Sequence, residues 1–569
     1  MSGNFLTPTA VWKNFTTGGA VKAEIIREFI HRGVSVTHLR ISGRKTADGE
    51  VGIYAVMTRK AQLTLAPAVV VVQEFNDGAD TALAKKLAEQ GYSVLTVDLA
   101  GATETNLQRK TEGVDCPYTL YPESLNYAVY DEETENKAEI NGDARATCWY
   151  EWARVIRYAV EYVKTNPLIT KVGVLGIGKA ATPLWQVLAA DCGISCAVIV
   201  ANAGWKGYRG INKFDGTPEP QFSDDALKYL AGVEPQAFAA HVKCPLMLLS
   251  PTNSPDFDID RAYDTVSRIS ENIYTAVDYS VGGRQAINAE CFNGALVFMN
   301  AFLVQETPAL AHEISMKATV ENGEIKAEVT PDPNGLKNVS VYFSEEVFSP
   351  KLRSWNKETK IVSQTDGVYV FKYLPYGATG TITYFARAEY ADGLNLCSVI
   401  GCRKFDGQGF AVNNKHRVLY SSRSASGING FYPAKENEGA PFGIDLNKRS
   451  AVKVKNGPMD IAGIFCAEGV LTFKVNLQKY KPAQGAILML DVFVNGGGMF
   501  YAKAISDYYG KKTEYVAKIN VFGDLWQNVK LEINNFKTAE GMGFKSYDNI
   551  AALEFSSDKD FLINNLLWV

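Results

Sequence analysis

The segment Lys171-Val-Gly-Val-Leu-Gly176-Ile-Gly178-Lys179-Ala-Ala reads as a buried strand running into a tight glycine turn and then a helix. Such a turn lifts its apical side chain into a cleft and aims backbone N–H groups at the same point, which is what acyl transfer asks of a nucleophile and an oxyanion site. Gly178 stands at the apex and brings no nucleophile. Other reactive groups find little support nearby. The five histidines (His31, His38, His241, His312 and His416) are scattered, and none pairs with Cys or another His at ligand spacing, so they are expected to be structural. Asp256-x-Asp258-x-Asp260 is half of a calcium loop that lacks its glycine and distal Glu; it leads into a helix, whose N-terminus favours acids in any case. Cys148, Cys192 and Cys291 have no nearby His to form a thiolate, and Lys179 would serve as an amine nucleophile only if burial lowered its pKa. No metal and no cofactor is expected.

These residues need a frame to position them. From Val21 to about Ala61 apolar and polar residues alternate, as in antiparallel strands with one solvated face. At Ala68 the pattern changes to the uninterrupted run Ala68-Val-Val-Val-Val72, then a turn, a helical stretch from Thr81 to Gln90, Gly91 and a second buried strand, Ser93 to Asp98. That is a βαβ unit. It repeats through a long helix (about Ala144 to Thr165) and the strand Lys171 to Leu175, a helix from Ala180 and the strand Ala197 to Val200, then Pro245 to Leu249 and a helix from Asp260. An open, mostly parallel sheet with helices on both faces follows.

After a helix ending near Val304, short alternating strands separated by Pro-Asp-Pro-Asn-Gly, Asp366-Gly367 and Asp392-Gly393 predict an immunoglobulin-like sandwich, and the region from 406 on, dense in Gly, Asn and aromatics, predicts a larger sandwich of jelly-roll type. Three domains are therefore expected: 1–305, 306–405 and 406–569. A chain of 569 residues is too long for one core.

Composition narrows the function. With 58 Lys and Arg against 62 Asp and Glu, and no basic cluster, the chain has no field to displace counterions from a phosphate backbone, so nucleic acid is not an expected partner. Apolar runs are strand-length, and the start Met-Ser-Gly-Asn-Phe-Leu lacks the basic and apolar regions of a signal peptide. No membrane association is expected, and the location should be cytoplasmic, or secreted if a leader is removed. The nine cysteines are odd in number, and Cys148, Cys196, Cys244 and Cys466 lie in apolar runs, so reduced, buried thiols are expected.

The strand and turn around Gly178, the opening strands with Gly43-Arg-Lys and Asp48-Gly-Glu-Val, Tyr121-Pro-Glu-Ser-Leu-Asn-Tyr-Ala, Ala203-Gly-Trp205 and Cys244-Pro-Leu-Met-Leu-Leu together resemble the acetyl-xylan-esterase and prolyl-oligopeptidase-like branch of the α/β-hydrolase superfamily, over residues 15–305. The resemblance implies an α/β-hydrolase fold and a triad in the order serine, acid, histidine. Gly178 takes the serine position. The acid loop Ser250-Pro-Thr-Asn-Ser254-Pro-Asp256 puts Ser254 at the acid position, or Asp256 with a shift of two, and the loop Tyr279-Ser-Val-Gly-Gly283-Arg284 puts Gly283 or Arg284 at the histidine position. No His occurs between Val242 and Ala311. Loss of a triad costs around a millionfold in turnover, so the resemblance implies a hydrolase-like protein without ordinary hydrolysis.

The backbone donors survive that loss. They come from Lys179 and from the loop Glu74-Phe-Asn76-Asp-Gly78, and the cleft is expected to keep a taste for partial negative charge. Lys179 at a helix N-terminus, facing Arg284, would hold a carboxylate such as that of a uronic acid; the plainer reading makes both solvated surface charges. Asn76 and Trp205 complete the candidate pocket.

The tail from Asp524-Leu-Trp526 to Leu-Leu-Trp568-Val resembles the closing strands of jelly-roll carbohydrate-binding modules. Sugars bind on flat aromatic faces edged by amides and carboxylates, and this region offers Tyr508, Tyr509, Tyr515, Phe500, Tyr501 and Trp526 beside Asn495, Asn520 and Asp507. At least half of these rings must be sandwich core. Tyr508 and Tyr509 cannot both point inward from a regular strand, so one should be exposed. A carbohydrate or other small molecule is thus the expected partner, with the aromatic C-terminal sandwich as the favoured binding face. The alternatives are an esterase or deacetylase with a non-standard catalytic group and a structural protein that forms homo-oligomers through strand edges.

Overall fold

The computed structural model describes residues 5–62, 65–190, 193–284, 287–306, 309–321, 324–345, 347–375, 380–405, 418–423, 427–435, 452–508 and 511–569. Its N-terminal part is organised by one mixed sheet of nine strands among the described residues. In chain order these are β1 (Ala23–His31), β2 (Val34–Lys45), β3 (Glu50–Lys60), β4 (Ala66–Val72), β5 (Ser93–Val97), β6 (Ile169–Ile177), β7 (Cys196–Val200), β8 (Leu246–Pro251) and β9 (Thr275–Ser280). Their spatial order is β1-β2-β3-β5-β4-β6-β7-β8-β9.

β1, β2, β3 and β5 pair antiparallel, and every later pair from β5-β4 to β8-β9 is parallel. This is the α/β-hydrolase fold read from the sequence. The uninterrupted apolar run of β4 is explained by its position, because Ala68 to Val72 are all fully buried between helices on the two faces. Each such valine contributes roughly 1.5–3 kcal/mol of transfer free energy. The helices Ala82–Glu89 and Ala289–Leu303 cover one face, and Cys148–Lys164 and Thr182–Ala189 the other, as the split of the buried residues into two clusters shows.

Two pairs of antiparallel sheets follow. The strands between Ser315 and Phe405 form a four-stranded and a five-stranded sheet among the described residues. Those between Val418 and Trp568 form a six-stranded and a five-stranded sheet, closed by the pairing of Leu488–Val494 with Phe561–Trp568. The first sandwich is not a separate bead on the chain. Its residues Tyr342, Trp355 and Phe385 share one apolar cluster with the hydrolase-fold core, and Phe385 packs edge-on against Tyr279 of β9.

Buried ion pairs fix the same junction. Arg353 is fully buried and holds both oxygens of the equally buried Asp260, at 2.5 and 2.6 Å. Arg387 holds Asp278 of β9 at 3.0 Å. Asp258 caps its helix by accepting from the Asp260 N–H, so two of the three acids in the half calcium loop, Asp258 and Asp260, are already engaged within the protein. Among the described residues no cluster of His, Cys, Asp or Glu is arranged to hold a metal ion, and no helix is long and apolar enough to cross a membrane. The eight described cysteines are free thiols, six of them buried; Cys192 lies outside the described residues.

Candidate functional site

The sheet order reverses at β4. The chain leaves β4 toward β5 on one side, whereas β6 lies on the other and leads on to β7, so the loops at the carboxyl ends of β4 and β6 diverge and leave a crevice between them. Glu74 follows β4 and Gly178 follows β6. Both line a cavity of about 640 Å³.

Gly178 sits in the left-handed region, φ +56°, which a turn of this sharpness imposes and which side-chain-bearing residues occupy at a cost. A side chain there would meet the Glu74 carboxyl as well as that strained backbone. A Cβ at position 178 would fall 1.3 Å from Glu74 Oε1, so the Glu74 carboxyl fills the space above the turn. The Lys179 N–H, the donor that follows the apex, donates to Glu74 Oε1 at 3.0 Å. Where a hydrolase would present an open oxyanion site, this chain supplies its own carboxylate as the acceptor. Asn202 braces the turn from below, its side-chain N–H group donating to Gly178 O and to Thr182 Oγ1, each at 2.9 Å.

Charge around the cavity is largely paired. Glu135 is fully buried, accepts an ion pair from Lys179 Nζ at 3.3 Å and a short one from Lys206, whose ammonium also lies 4.4 Å above the Trp149 ring. Burial pulls Lys206 down, against the opposing effect of Glu135. Glu74 differs. Burial of its carboxyl, only partly offset by the Lys179 N–H and the Lys179 charge, pushes it up to about 7.

Trp205 forms another part of the wall and carries backbone strain of its own, with φ +68°. The buried Glu234 carboxylate holds that conformation by accepting from Trp205 N–H at 2.6 Å and Lys206 N–H at 3.2 Å, while the indole N–H donates to Thr265 Oγ1 at 2.8 Å. Only glycine fits at 204, since a Cβ there would meet Gln236 Oε1 at 2.0 Å. Tyr208 stacks edge-on against Trp205. The opposite wall comes from the other parts of the chain: Ser349 to Leu352 from the first sandwich, and Asp507 and Tyr508 from the second.

The sequence-derived candidates separate sharply on this frame. Gly178, Lys179, Ser254, Asp256, Arg284, Trp205 and Tyr508 all line the cavity. Gly283 contributes backbone, its carbonyl accepting from Asn253 N–H at 2.8 Å. Lys179 and Arg284 are not solvated surface charges, yet they do not form a joint anion site either. Lys179 is paired with Glu135; Arg284 reaches the second sandwich, donating to Tyr508 Oη and to the carbonyls of Pro433 and Ala434 at 3.0 and 2.7 Å. Asn76 is exposed, and its carbonyl accepts from Arg109 at 2.7 Å outside the cavity. Trp526 packs over Gly457 and Gly463 with its indole N–H on Pro458 O and does not line the cavity. Tyr509 lies outside the described residues.

Three wall residues went unrecognised in the sequence: Glu74, Glu135 and Glu234. Glu74 had one legible signal, a charged residue immediately after a fully buried strand end, where the chain enters a crevice. Nothing local marks Glu135 or Glu234, because their partners come from residues far away in the sequence.

The strand order, the turn at Gly178 and the crevice beside it define an α/β-hydrolase scaffold. No family model matches the chain, and no curated protein matches its sequence. Among solved structures it is similar to an acetyl xylan esterase from Paenibacillus sp. R4, at 12% identity and a TM-score of 0.38 over 52% of this chain and 92% of that one. It is also similar to acetyl xylan esterase 1 from Thermoanaerobacterium sp. JW/SL YS485, at 12% identity and 0.35 over 53% and 95%, and to a cold-adapted esterase from an Arctic intertidal metagenomic library, at 14% and 0.30 over 49% and 97%.

Proposed function

We propose that this protein binds a carbohydrate in the cleft of a hydrolase scaffold that no longer performs serine-type hydrolysis. One observation carries the reading: the Glu74 carboxyl occupies both the space of a side chain at 178 and the Lys179 N–H. A substrate carbonyl would find no nucleophile at 178, and the Lys179 N–H already donates to Glu74. What remains is a cavity of about 640 Å³ with Trp205, Tyr208 and Tyr508 among hydrogen-bonding groups, the mix of flat rings and polar edges that suits a sugar. The rings of the second sandwich serve this reading chiefly through Tyr508, so the binding face moves from the C-terminal sandwich alone to the cavity it helps to wall.

A second reading keeps catalysis. A carboxyl held near neutrality is suited to proton transfer, which makes Glu74 the candidate for a non-standard group in an esterase or deacetylase. Calorimetric titration with a panel of mono- and oligosaccharides, alongside turnover of p-nitrophenyl acetate, tests both. Saturable binding without turnover supports the first; turnover lost in Glu74→Gln supports the second; neither binding nor turnover overturns both.

A further inference from the structure

Among the described residues the Glu74 side chain makes no ion pair, whereas Glu135 and Asp258, two other acids of the cavity, each do. Glu135 has Lys179 and Lys206, Asp258 has Arg261, and Glu234 caps two backbone N–H groups. Among the described residues the Glu74 side chain makes a single hydrogen bond, to the Lys179 N–H through Oε1. Its nearest ammonium, on Lys179, is committed to Glu135. The charged and titratable groups facing it are Asp77 on its own loop, Glu135 and Tyr130 from the segment before the long helix, and Lys179 beyond the turn. Two carboxylates and a phenol thus face Glu74, and the ammonium groups of Lys179 and Lys206 are both paired with Glu135 rather than with Glu74.

We infer that the cavity takes an amino sugar, a pyranose carrying a protonated amine, with the free oxygen of Glu74 as the counterion and the aromatic wall of Trp205 and Tyr208 beside the ring. A cation at this point relieves the cost of an uncompensated carboxylate deep in a cleft, which no neutral sugar does and which an acidic sugar would worsen. This inference rests on the cavity being a saccharide site.

The near-neutral carboxyl gives the interaction a pH signature. The binding pair needs an ionised Glu74 and a protonated amine, so affinity rises as pH climbs through about 7 and falls again once the free amine loses its proton. A neutral sugar shows no such bell.

Calorimetry on the full chain with glucosamine, glucose, N-acetylglucosamine and glucuronate decides the matter. Glucosamine should bind at least tenfold more tightly than glucose or N-acetylglucosamine, with a bell-shaped pH dependence. Glu74→Gln should remove that preference. The pH profile of the unaltered protein tests the same point without any variant. Equal affinity for glucose and glucosamine, or a preference for glucuronate, overturns the inference and leaves the saccharide reading standing; no binding of any of the four overturns both.

Discussion

Glu74 Oε1 lies where a Cβ on residue 178 would have to be, 1.3 Å from the position that atom would take on Gly178. The Glu74 carboxyl, in the loop after β4, thus fills the space that a side chain at the turn after β6 would need. Restoring serine at 178 cannot by itself restore a nucleophile. Gly178→Ser should destabilise the protein by about 2–4 kcal/mol, from overpacking and from the left-handed backbone. Glu74→Ala in the same chain should return about half of that, as read by urea unfolding. Neither variant should hydrolyse p-nitrophenyl acetate, because no His lies between Val242 and Ala311 to act as a base.

A buried carboxyl at about 7 also makes stability depend on pH. Its folded pKa lies above the ordinary carboxylate range, so the native state holds a proton that the unfolded chain has released. The stabilising contribution is complete below about pH 4 and is lost as pH rises to about 7. Glu74→Gln should therefore gain on the parent protein between pH 5 and pH 8 by about 1–3 kcal/mol, the range allowing for partial access of water from the cavity. Thermal unfolding of both proteins at the two pH values measures it, and parallel curves would refute it.

The Arg353–Asp260 pair is fully buried and ties the first sandwich to the hydrolase-fold core. Removing one partner leaves the other uncompensated, so Asp260→Asn or Arg353→Met should each cost about 3–5 kcal/mol. Arg353→Met combined with Asp260→Leu should cost less than either alone. Chemical denaturation of the three variants gives the coupling directly.

Arg284, in the loop after β9, donates to Tyr508 Oη and to the carbonyls of Pro433 and Ala434. Arg284→Ala leaves those acceptors unpaired and should raise amide exchange by tenfold or more around 431–434 and 506–508, with little change in the strands β4 to β7. Hydrogen exchange with mass spectrometry resolves the two regions. Uniform exchange would show that Arg284 does not hold the second sandwich against the cavity.

Much of this protein is legible in the order of its residues. The fully apolar run at Ala68 to Val72 announces a strand buried on both faces, the alternation before it announces antiparallel partners, and Gly178 announces an elbow without a nucleophile, because each depends only on local pattern. Of the residues singled out in the sequence, Gly178, Lys179, Trp205, Ser254, Asp256, Arg284 and Tyr508 line the cavity. Asn76 and Trp526 show the limit. Asn76 does not line the cavity, and Trp526, expected on the face of the C-terminal sandwich, gives its indole N–H to Pro458 O.

By itself, then, the sequence determined the scaffold and the absence of a serine at its elbow, since periodicity and residue identity are local properties. Only the tertiary structure decided what filled the vacancy, that Lys179 and Arg284 would each be taken by a different partner, and that Tyr508 would wall the same cavity as Gly178. Those outcomes depend on side chains separated by tens to hundreds of residues meeting at one point, and the free energy of such a meeting belongs to the packed assembly of strand ends and loops rather than to any stretch of chain.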